Sequence, residues 1–144
     1  AEILCGGKSF GGENSLFFEP TIILCPDQSC QIMHTELFGP ILTVMRFSDE
    51  NEVIELANDT NYGLAAGIFT RDSARSIRMT KAIKAGIIWV NTYRVVSPIA
   101  QFGGFKQSGF GRESGFQAIY DYTRPKTVWI NTSDEIISNP FIMR

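Results

Sequence analysis

The sequence is poor in the features that mark several kinds of protein. Histidine occurs once, as His34, and the three cysteines, Cys5, Cys25 and Cys30, form no CxxC or Cys/His pattern, so a metal site is not expected. The basic residues form no run, and a net charge of −2 with a pI of about 5.4 argues against nucleic acid or an anionic membrane as a partner. No apolar stretch is long enough to cross a bilayer, and no signal-peptide pattern opens the chain.

What is present fits one ordinary domain. The 144 residues are 44% hydrophobic and 19% charged, so the chain can bury a core. An odd number of cysteines without a pairing pattern indicates reduced thiols and predicts a cytoplasmic protein. The opening stretch AEILCGG has no Met and is typical of a helix end running into a turn, which predicts a piece of a longer chain.

Short apolar runs alternate with helical patterns along the first two thirds of the chain. Strands are predicted at 21–25, 41–47, 65–70 and 87–91, helices at 49–59 and from Asp72 to about 84, and a glycine-rich loop at 6–20. Strands that alternate with helices through short connections are parallel and joined by right-handed crossovers. Nearly continuous apolar strands fit a sheet covered on both faces. The sequence therefore predicts an α/β fold, with parallel-sheet layers and flanking helices.

The character changes after Asn91. Residues 91–116 are rich in glycine, serine and aromatic residues, and a long loop of this kind in a compact domain is usually functional. A short helix is predicted near 116–122 and a late strand at 126–131. The stretch GFGRESG has neither the GxGxxG spacing nor the GK[ST] ending of a phosphate-binding loop, so we interpret its glycines as serving a tight turn.

One carboxylate and one aromatic residue stand out in TELFGPI, the stretch from Thr35 to Ile41. Glu36 can accept two hydrogen bonds from the vicinal hydroxyls of a ribose, and Phe38, two residues on, can line a flat ring from the same side of an extended segment. The other interpretation is a helix-capping or surface carboxylate. No second carboxylate is evident as a general acid or base. None of the three cysteines has a candidate base, so we interpret all three as bystanders.

Four motifs, in order and at matching separations, carry a resemblance that covers essentially the whole chain: ELFGPI, ANDTNYGLAAGIFTRD, AGIIWVN and FGGFKQSGFGRESG. They resemble the C-terminal part of the NAD(P)-dependent aldehyde dehydrogenase superfamily. The resemblance implies that residues 1–122 are part of the catalytic domain and that 123–144 are an oligomerisation strand and a C-terminal tail. It implies oxidation of an aldehyde to a carboxylic acid with NAD or NADP.

The same resemblance implies roles for individual residues. Glu36 would bind the ribose next to the nicotinamide, and Phe38 would contact the nicotinamide ring. The substrate tunnel would be bordered by a loop and a wall residue: Arg94, Val95, Val96 and Phe102. Val96 and Phe102 predict an apolar tunnel, whereas Arg94 would either attract an acid group or face solvent. The stretch KTVWI would add to a sheet of a neighbouring subunit in a homodimer or homotetramer.

The resemblance also implies what this stretch lacks. The family's nucleophilic cysteine, general-base glutamate, oxyanion asparagine and phosphate-binding turn all precede these motifs, so no catalytic residue is assigned and the chain alone is expected to be inactive. Two departures from the family pattern are Gln101, where proline is common, and Arg124 with Pro125, where an acidic and an aliphatic residue are common. The alternative from another class is a free-standing, non-catalytic assembly or binding module that pairs through its last strand, or an inert remnant.

Overall fold

The structure, a computed structural model, describes residues 1–12, 14–135, 139 and 141. The described residues form nine short strands and three α-helices. In chain order these are β1 Glu2–Cys5, β2 Ser9–Phe10, β3 Phe17–Phe18, β4 Thr21–Leu24, β5 Ile41–Val44, α1 Glu50–Asn58, β6 Tyr62–Gly63, β7 Ala65–Ile68, α2 Ser73–Ala82, β8 Ile87–Val90, β9 Phe105–Lys106 and α3 Ile119–Tyr122. One-turn 3₁₀ helices lie at Gln31–Met33 and Phe116–Ala118. The predicted α/β class is confirmed.

The first sheet has three strands in the order β1-β4-β5. Strand β4 pairs parallel with β5, from Thr21↔Ile41 to Leu24↔Val44, as the sequence predicted. Strand β1 pairs antiparallel with β4, so the helix end expected in AEILCGG is wrong. The pairing partner lies some twenty residues away in the sequence, and a local pattern cannot show it. The predicted loop at 6–20 also contains the small hairpin β2–β3.

The second parallel pair, β7 and β8, is joined through α2. It runs in register from Ala65↔Ile87 to Ile68↔Val90. Both predicted helices form because an aspartate caps each of them: the carboxylate of Asp49 accepts from backbone N–H groups at the start of α1, and that of Asp72 does so for α2. Helix α2 ends at Ala82, slightly before the predicted end near 84.

The predicted series of parallel strands is divided. In the part of the chain that the structure describes, β4–β5 and β7–β8 belong to separate sheets, and a cavity of about 490 Å³ opens among the end of β5, α1, β7 and α2. Few side chains are buried: the apolar core consists of Cys25, Ile68 and Met79. The expectation of a sheet covered on both faces is therefore wrong for the chain by itself.

The exposed surface area shows how incompletely the chain is buried. The chain exposes 12307 Å². A folded monomer of 16.1 kDa is expected to expose about 7,400 Å². The surplus includes many large apolar side chains, which in a stable globular protein are covered by other elements. The fold thus presents surfaces that fit further protein structure.

The last described segment is extended and solvated. The strand predicted at 126–131 is not formed among the described residues, because a strand requires a hydrogen-bonded partner and these residues have none there. Val128, Trp129 and Ile130 are exposed, with Trp129 at 91%. The role of residues 126–131 between subunits stays a prediction. In the described part of the chain, no helix has the length and apolar character needed to cross a membrane.

Candidate functional site

A cavity of about 480 Å³ lies beside the parallel pair β7–β8. One wall is the start of β7, residues 64–67, and the other walls come from β8 and the loop after it. Three of the four residues predicted to border a substrate tunnel line this cavity: Arg94, Val96 and Phe102. The fourth, Val95, does not line it. The glycine-rich region after Asn91 therefore folds back onto the sheet and encloses space.

Two aromatic residues hold the start of this loop, and sequence reasoning missed both. The indole Nε1 of Trp89 donates to the Val95 carbonyl at 2.8 Å. The rings of Trp89 and Tyr93 meet edge to face with centroids 5.5 Å apart, and the guanidinium carbon of Arg94 lies 5.7 Å from the centroid of the Tyr93 ring. An available signal was the pair of aromatic residues, Trp89 and Tyr93, on either side of the end of β8.

Backbone geometry fixes the same loop. Asn91 and Arg94 have φ angles of 53° and 57°, in the left-handed region that non-glycine residues seldom occupy. The side-chain amide of Asn91 accepts from the Thr70 N–H and donates to the Thr70 carbonyl, both at 2.9 Å, which ties the end of β8 to the end of β7. A left-handed non-glycine residue costs on the order of 1–3 kcal/mol and persists only where its surroundings hold it.

The motif FGGFKQSGFGRESG closes the far side of the cavity. Phe102 and Glu113 exchange two backbone hydrogen bonds, of 2.8 and 2.7 Å. Lys106 Nζ donates to the Asn58 and Thr60 carbonyls at 2.7 and 2.9 Å, at the C-terminal end of α1. A Cβ on Gly86 would lie 1.7 Å from the Gly103 carbonyl oxygen, so only glycine allows this motif to approach the start of β8. Gly109, Gly111 and Gly115 of GFGRESG all have positive φ angles, which agrees with the tight turn interpreted from the sequence.

Glu36 lines a second, neighbouring cavity of about 290 Å³, and Thr60, Lys84 and Ser108 also line it. Residues 64–66 line both cavities, so the start of β7 forms part of the wall of each. Phe38 lines neither cavity and is 99% exposed. The structure thus places Glu36 and the predicted substrate residues on two cavities that share one strand, and Phe38 on neither.

The Glu36 loop presents a carboxylate and an aromatic ring that are both available to a ligand. Among the described residues, no hydrogen bond or ion pair engages the Glu36 carboxylate, so both of its oxygens can accept from the vicinal hydroxyls of a ribose. The exposed Phe38 ring can cover a flat heteroaromatic ring.

The titratable groups nearby have structural roles. Hydrogen bonds from Arg78 and Arg75 hold the pKa of the Glu50 carboxyl at about 2, and these pairs join α1 to α2. Burial raises the pKa of the Cys25 thiol, which is 1% exposed. A raised thiol pKa is the opposite of what a nucleophilic cysteine needs. Cys25 is therefore a core residue.

The fold and the cavities define an α/β chain with open cavities between strand ends and loops. The profile of the aldehyde dehydrogenase family matches residues 1–128. The chain belongs to the aldehyde dehydrogenase family.

The comparisons with individual proteins agree. The chain is 52% identical over its whole length to the (Z)-2-((N-methylformamido)methylene)-5-hydroxybutyrolactone dehydrogenase of Acinetobacter baylyi, of which it covers 30%. Its fold matches the crystal structure of PnpE from Pseudomonas sp. WBC-3 with a TM-score of 0.85 at 43% identity, covering 97% of this chain and 29% of that one. It matches the indole-3-acetaldehyde dehydrogenase AldA of P. syringae, in complex with NAD+ and IAA, with a TM-score of 0.83 at 40% identity, covering 90% and 26%. The chain thus spans less than a third of the length of these relatives.

Proposed function

We propose that this chain is the C-terminal portion of an NAD(P)-dependent aldehyde dehydrogenase that oxidises an aldehyde to a carboxylic acid. One observation carries the proposal: the predicted substrate residues Arg94, Val96 and Phe102 line one cavity, and the predicted cofactor residue Glu36 lines a second cavity that shares residues 64–66 with it. In an oxidation by hydride transfer the reacting carbon of the substrate must meet the nicotinamide, and the complete enzyme would bring the two together.

The relatives support both the dehydrogenase activity and the use of a nicotinamide cofactor. One, at 52% identity, is named a dehydrogenase, and solved relatives were crystallised with nicotinamide adenine dinucleotide. In the proposed site the Glu36 carboxylate accepts from the ribose hydroxyls, and Phe38 lies against the nicotinamide. When bound, NAD or NADP supplies the hydride acceptor. The chain's own contribution is orientation, which lowers a barrier without direct participation in the chemistry.

The substrate side is formed by the loop after β8. Val96 and Phe102 give the aldehyde an apolar wall, and Val95 supports that wall through the hydrogen bond that its carbonyl accepts from Trp89. Among the described residues, Cys25 is buried with a raised pKa and no cysteine is paired with a base. The 144 residues are therefore proposed to be inactive alone, with the nucleophile and base supplied by the rest of the enzyme.

An assay tests this proposal. The full-length protein that contains this chain, incubated with NAD or NADP and an aldehyde, should form the reduced nicotinamide and a carboxylic acid, whereas the 144-residue chain alone should form neither. Absence of aldehyde oxidation by the full-length protein with either cofactor would contradict the proposal. Activity of the short chain would contradict its division of roles. Association of the short chain with other proteins, without any activity in the longer protein, would favour the non-catalytic module.

We also propose that residues 126–131 form an intersubunit strand in a homodimer or homotetramer. The exposure of Val128, Trp129 and Ile130 in a segment free of backbone partners among the described residues supports this, since an unpaired apolar strand is a template for pairing. In the full-length protein Trp129→Asp should shift the mass measured by light scattering towards the monomer. Thr132→Asp, which adds the same charge just beyond the strand, should not. Equal masses for both variants and the parent would contradict the role of the strand.

The free thiols of Cys5, Cys25 and Cys30 support the expectation of a reducing compartment such as the cytoplasm. If the compartment is reducing, an alkylating reagent should modify all three cysteines in freshly lysed cells without prior reduction.

A further inference from the structure

We propose that Arg94 makes the β7–β8 cavity selective for aldehydes that carry a carboxylate at the end remote from the aldehyde group. The inference rests on the proposed function and adds the chemical class of its substrate. Its basis is the placement of one cation on the wall of a cavity that is otherwise apolar and aromatic.

The wall of the β7–β8 cavity is mostly apolar. The side chains that line the cavity with Arg94 are aliphatic or aromatic, from residues 64–67, Trp89, Tyr93, Val96 and Phe102. None of them is acidic. A substrate body in contact with this wall is favoured for being apolar. A single charged group in such a wall determines which end of the substrate it meets.

Arg94 differs from Arg75, Arg78 and Arg112 in its partners, and from Arg46, Arg71 and Arg124 in lining this cavity. Arg75 and Arg78 are both engaged by the Glu50 carboxylate, and Arg112 donates to the carbonyls of Gly104 and Gly111. In the part of the chain that the structure describes, the Arg94 guanidinium has no carboxylate or carbonyl partner. Its one recorded contact is with the Tyr93 ring, at 5.7 Å.

That contact is not a hydrogen bond, so it leaves the N–H donors of the guanidinium available. Those donors lie in the guanidinium plane and form the fork that matches a carboxylate. The charge-assisted, two-point hydrogen bond to a carboxylate is the strongest that this side chain makes. The geometry therefore suits a carboxylate brought to the cavity mouth.

The backbone of Arg94 is held in place. With φ of 57°, it lies between Tyr93, whose ring is edge-on to Trp89, and Val95, whose carbonyl accepts from Trp89. A fixed backbone reduces the freedom that the side chain loses on binding. Arg94 is exposed and also lines the cavity, so its guanidinium is open to a carboxylate at the cavity mouth.

The test uses the full-length enzyme and two substrates that differ in the remote group, one charged and one neutral: adipic semialdehyde and its methyl ester. The parent enzyme should have a kcat/KM for the acid about 10- to 100-fold above that for the ester, the range expected for a hydrogen bond to a charged group. Arg94→Gln should abolish that preference by lowering kcat/KM for the acid far more than for the ester. Arg94→Lys should retain part of it, and Arg46→Gln, the matched change at an exposed arginine outside this cavity, should leave it unchanged.

Two outcomes would overturn the inference alone: a parent enzyme that oxidises the ester as well as or better than the acid, or an Arg94→Gln variant with an unchanged ratio. An enzyme that oxidises neither compound nor any simple aliphatic aldehyde would instead overturn the proposed function. A second measurement needs no variant. Added KCl should lower the acid-to-ester ratio of the parent enzyme, because salt screens an exposed ion pair, and a ratio independent of salt would contradict a role for charge.

Discussion

The two loops of the candidate site differ in what holds them. The loop at 91–104 is fixed by contacts within the chain: Asn91 to Thr70, Trp89 to Val95, and Phe102 to Glu113. The loop at 34–40 has fewer such contacts, and its two proposed functional side chains, Glu36 and Phe38, make no recorded hydrogen bond. The first loop is held by its own side chains, whereas the second leaves the side chains of Glu36 and Phe38 without a hydrogen bond among the described residues.

This difference separates two kinds of substitution. Changes to the supports of the 91–104 loop should alter stability and the shape of the substrate cavity together. Changes to Glu36 or Phe38 should alter the use of the cofactor while the fold is retained, because those side chains support nothing in the described structure. Substitutions in the full-length protein can therefore test the two loops separately.

The largest effect is expected from Gly86→Ala. Its Cβ would lie 1.7 Å from the Gly103 carbonyl oxygen, so the FGGFKQSG segment must move away from β8. Overpacking of this kind costs on the order of 1–3 kcal/mol or more. Thermal unfolding should show the loss, and aldehyde oxidation should fall with it. Gly67→Ala is the control, since its Cβ would meet only Phe69 at 3.9 Å. Equal stability of the two variants would mean that the close approach at Gly86 is not required.

Trp89→Phe should have a smaller effect. It keeps a ring at the edge of Tyr93 but removes the donor to the Val95 carbonyl at 2.8 Å. A hydrogen bond of this type contributes about 0.5–1.5 kcal/mol. KM for the aldehyde should rise several-fold, with KM for the cofactor unchanged. Trp129→Phe, which changes an exposed indole outside the site, should alter neither value. A rise in KM for the cofactor alone would contradict the assignment of this loop to the substrate.

Glu50→Gln tests the ion pairs that join α1 to α2 through their pH dependence. The Arg78 and Arg75 hydrogen bonds lower the pKa of Glu50 from 4.5 to about 2 in the folded chain. A group whose pKa is lowered by folding stabilises the fold above its unfolded pKa and loses that contribution as the pH falls through the folded value. The parent should therefore be more stable than Glu50→Gln above about pH 4.5, and the difference should shrink towards pH 2. Glu55→Gln should show no such dependence, and a constant difference for Glu50→Gln would contradict the ion-pair account.

The smallest effect on stability is expected from Phe38→Ala. The ring is 99% exposed and lines neither cavity, so the melting temperature should change little. KM for the cofactor should nevertheless rise if the ring covers the nicotinamide. A large fall in the melting temperature with unchanged cofactor kinetics would show that Phe38 is a structural residue in the full-length protein.

Much of the fold could be predicted because its signals are local. The Asp49 and Asp72 caps, the apolar strands and the parallel pairing all follow from short patterns. Strand β1 could not be predicted in this way, because its partner β4 is distant in the sequence. The division into two sheets could not be predicted either, because strand order depends on which surfaces meet rather than on any one strand.

The site was predicted unevenly for a similar reason. Arg94, Val96 and Phe102 were found through a motif that resembles a known family, and the structure places them on one cavity. Trp89 and Tyr93 were missed because an aromatic residue near a strand end is usually interpreted as a core residue. Only the structure shows the hydrogen bond of Trp89 and the contact between the two rings. The roles of Glu36 and Phe38 depend on a bound cofactor and stay predictions.

The most direct measurement is the rate of hydride transfer in Glu36→Gln, followed by stopped-flow with an aldehyde and its deuterated form. Loss of the carboxylate should slow the transfer by roughly 10- to 100-fold, the range for a hydrogen bond to a charged group, and should enlarge the isotope effect on kcat. The melting temperature should stay at the parent value. Unchanged transfer rates and unchanged cofactor affinity would contradict the central claim that this loop positions the nicotinamide riboside.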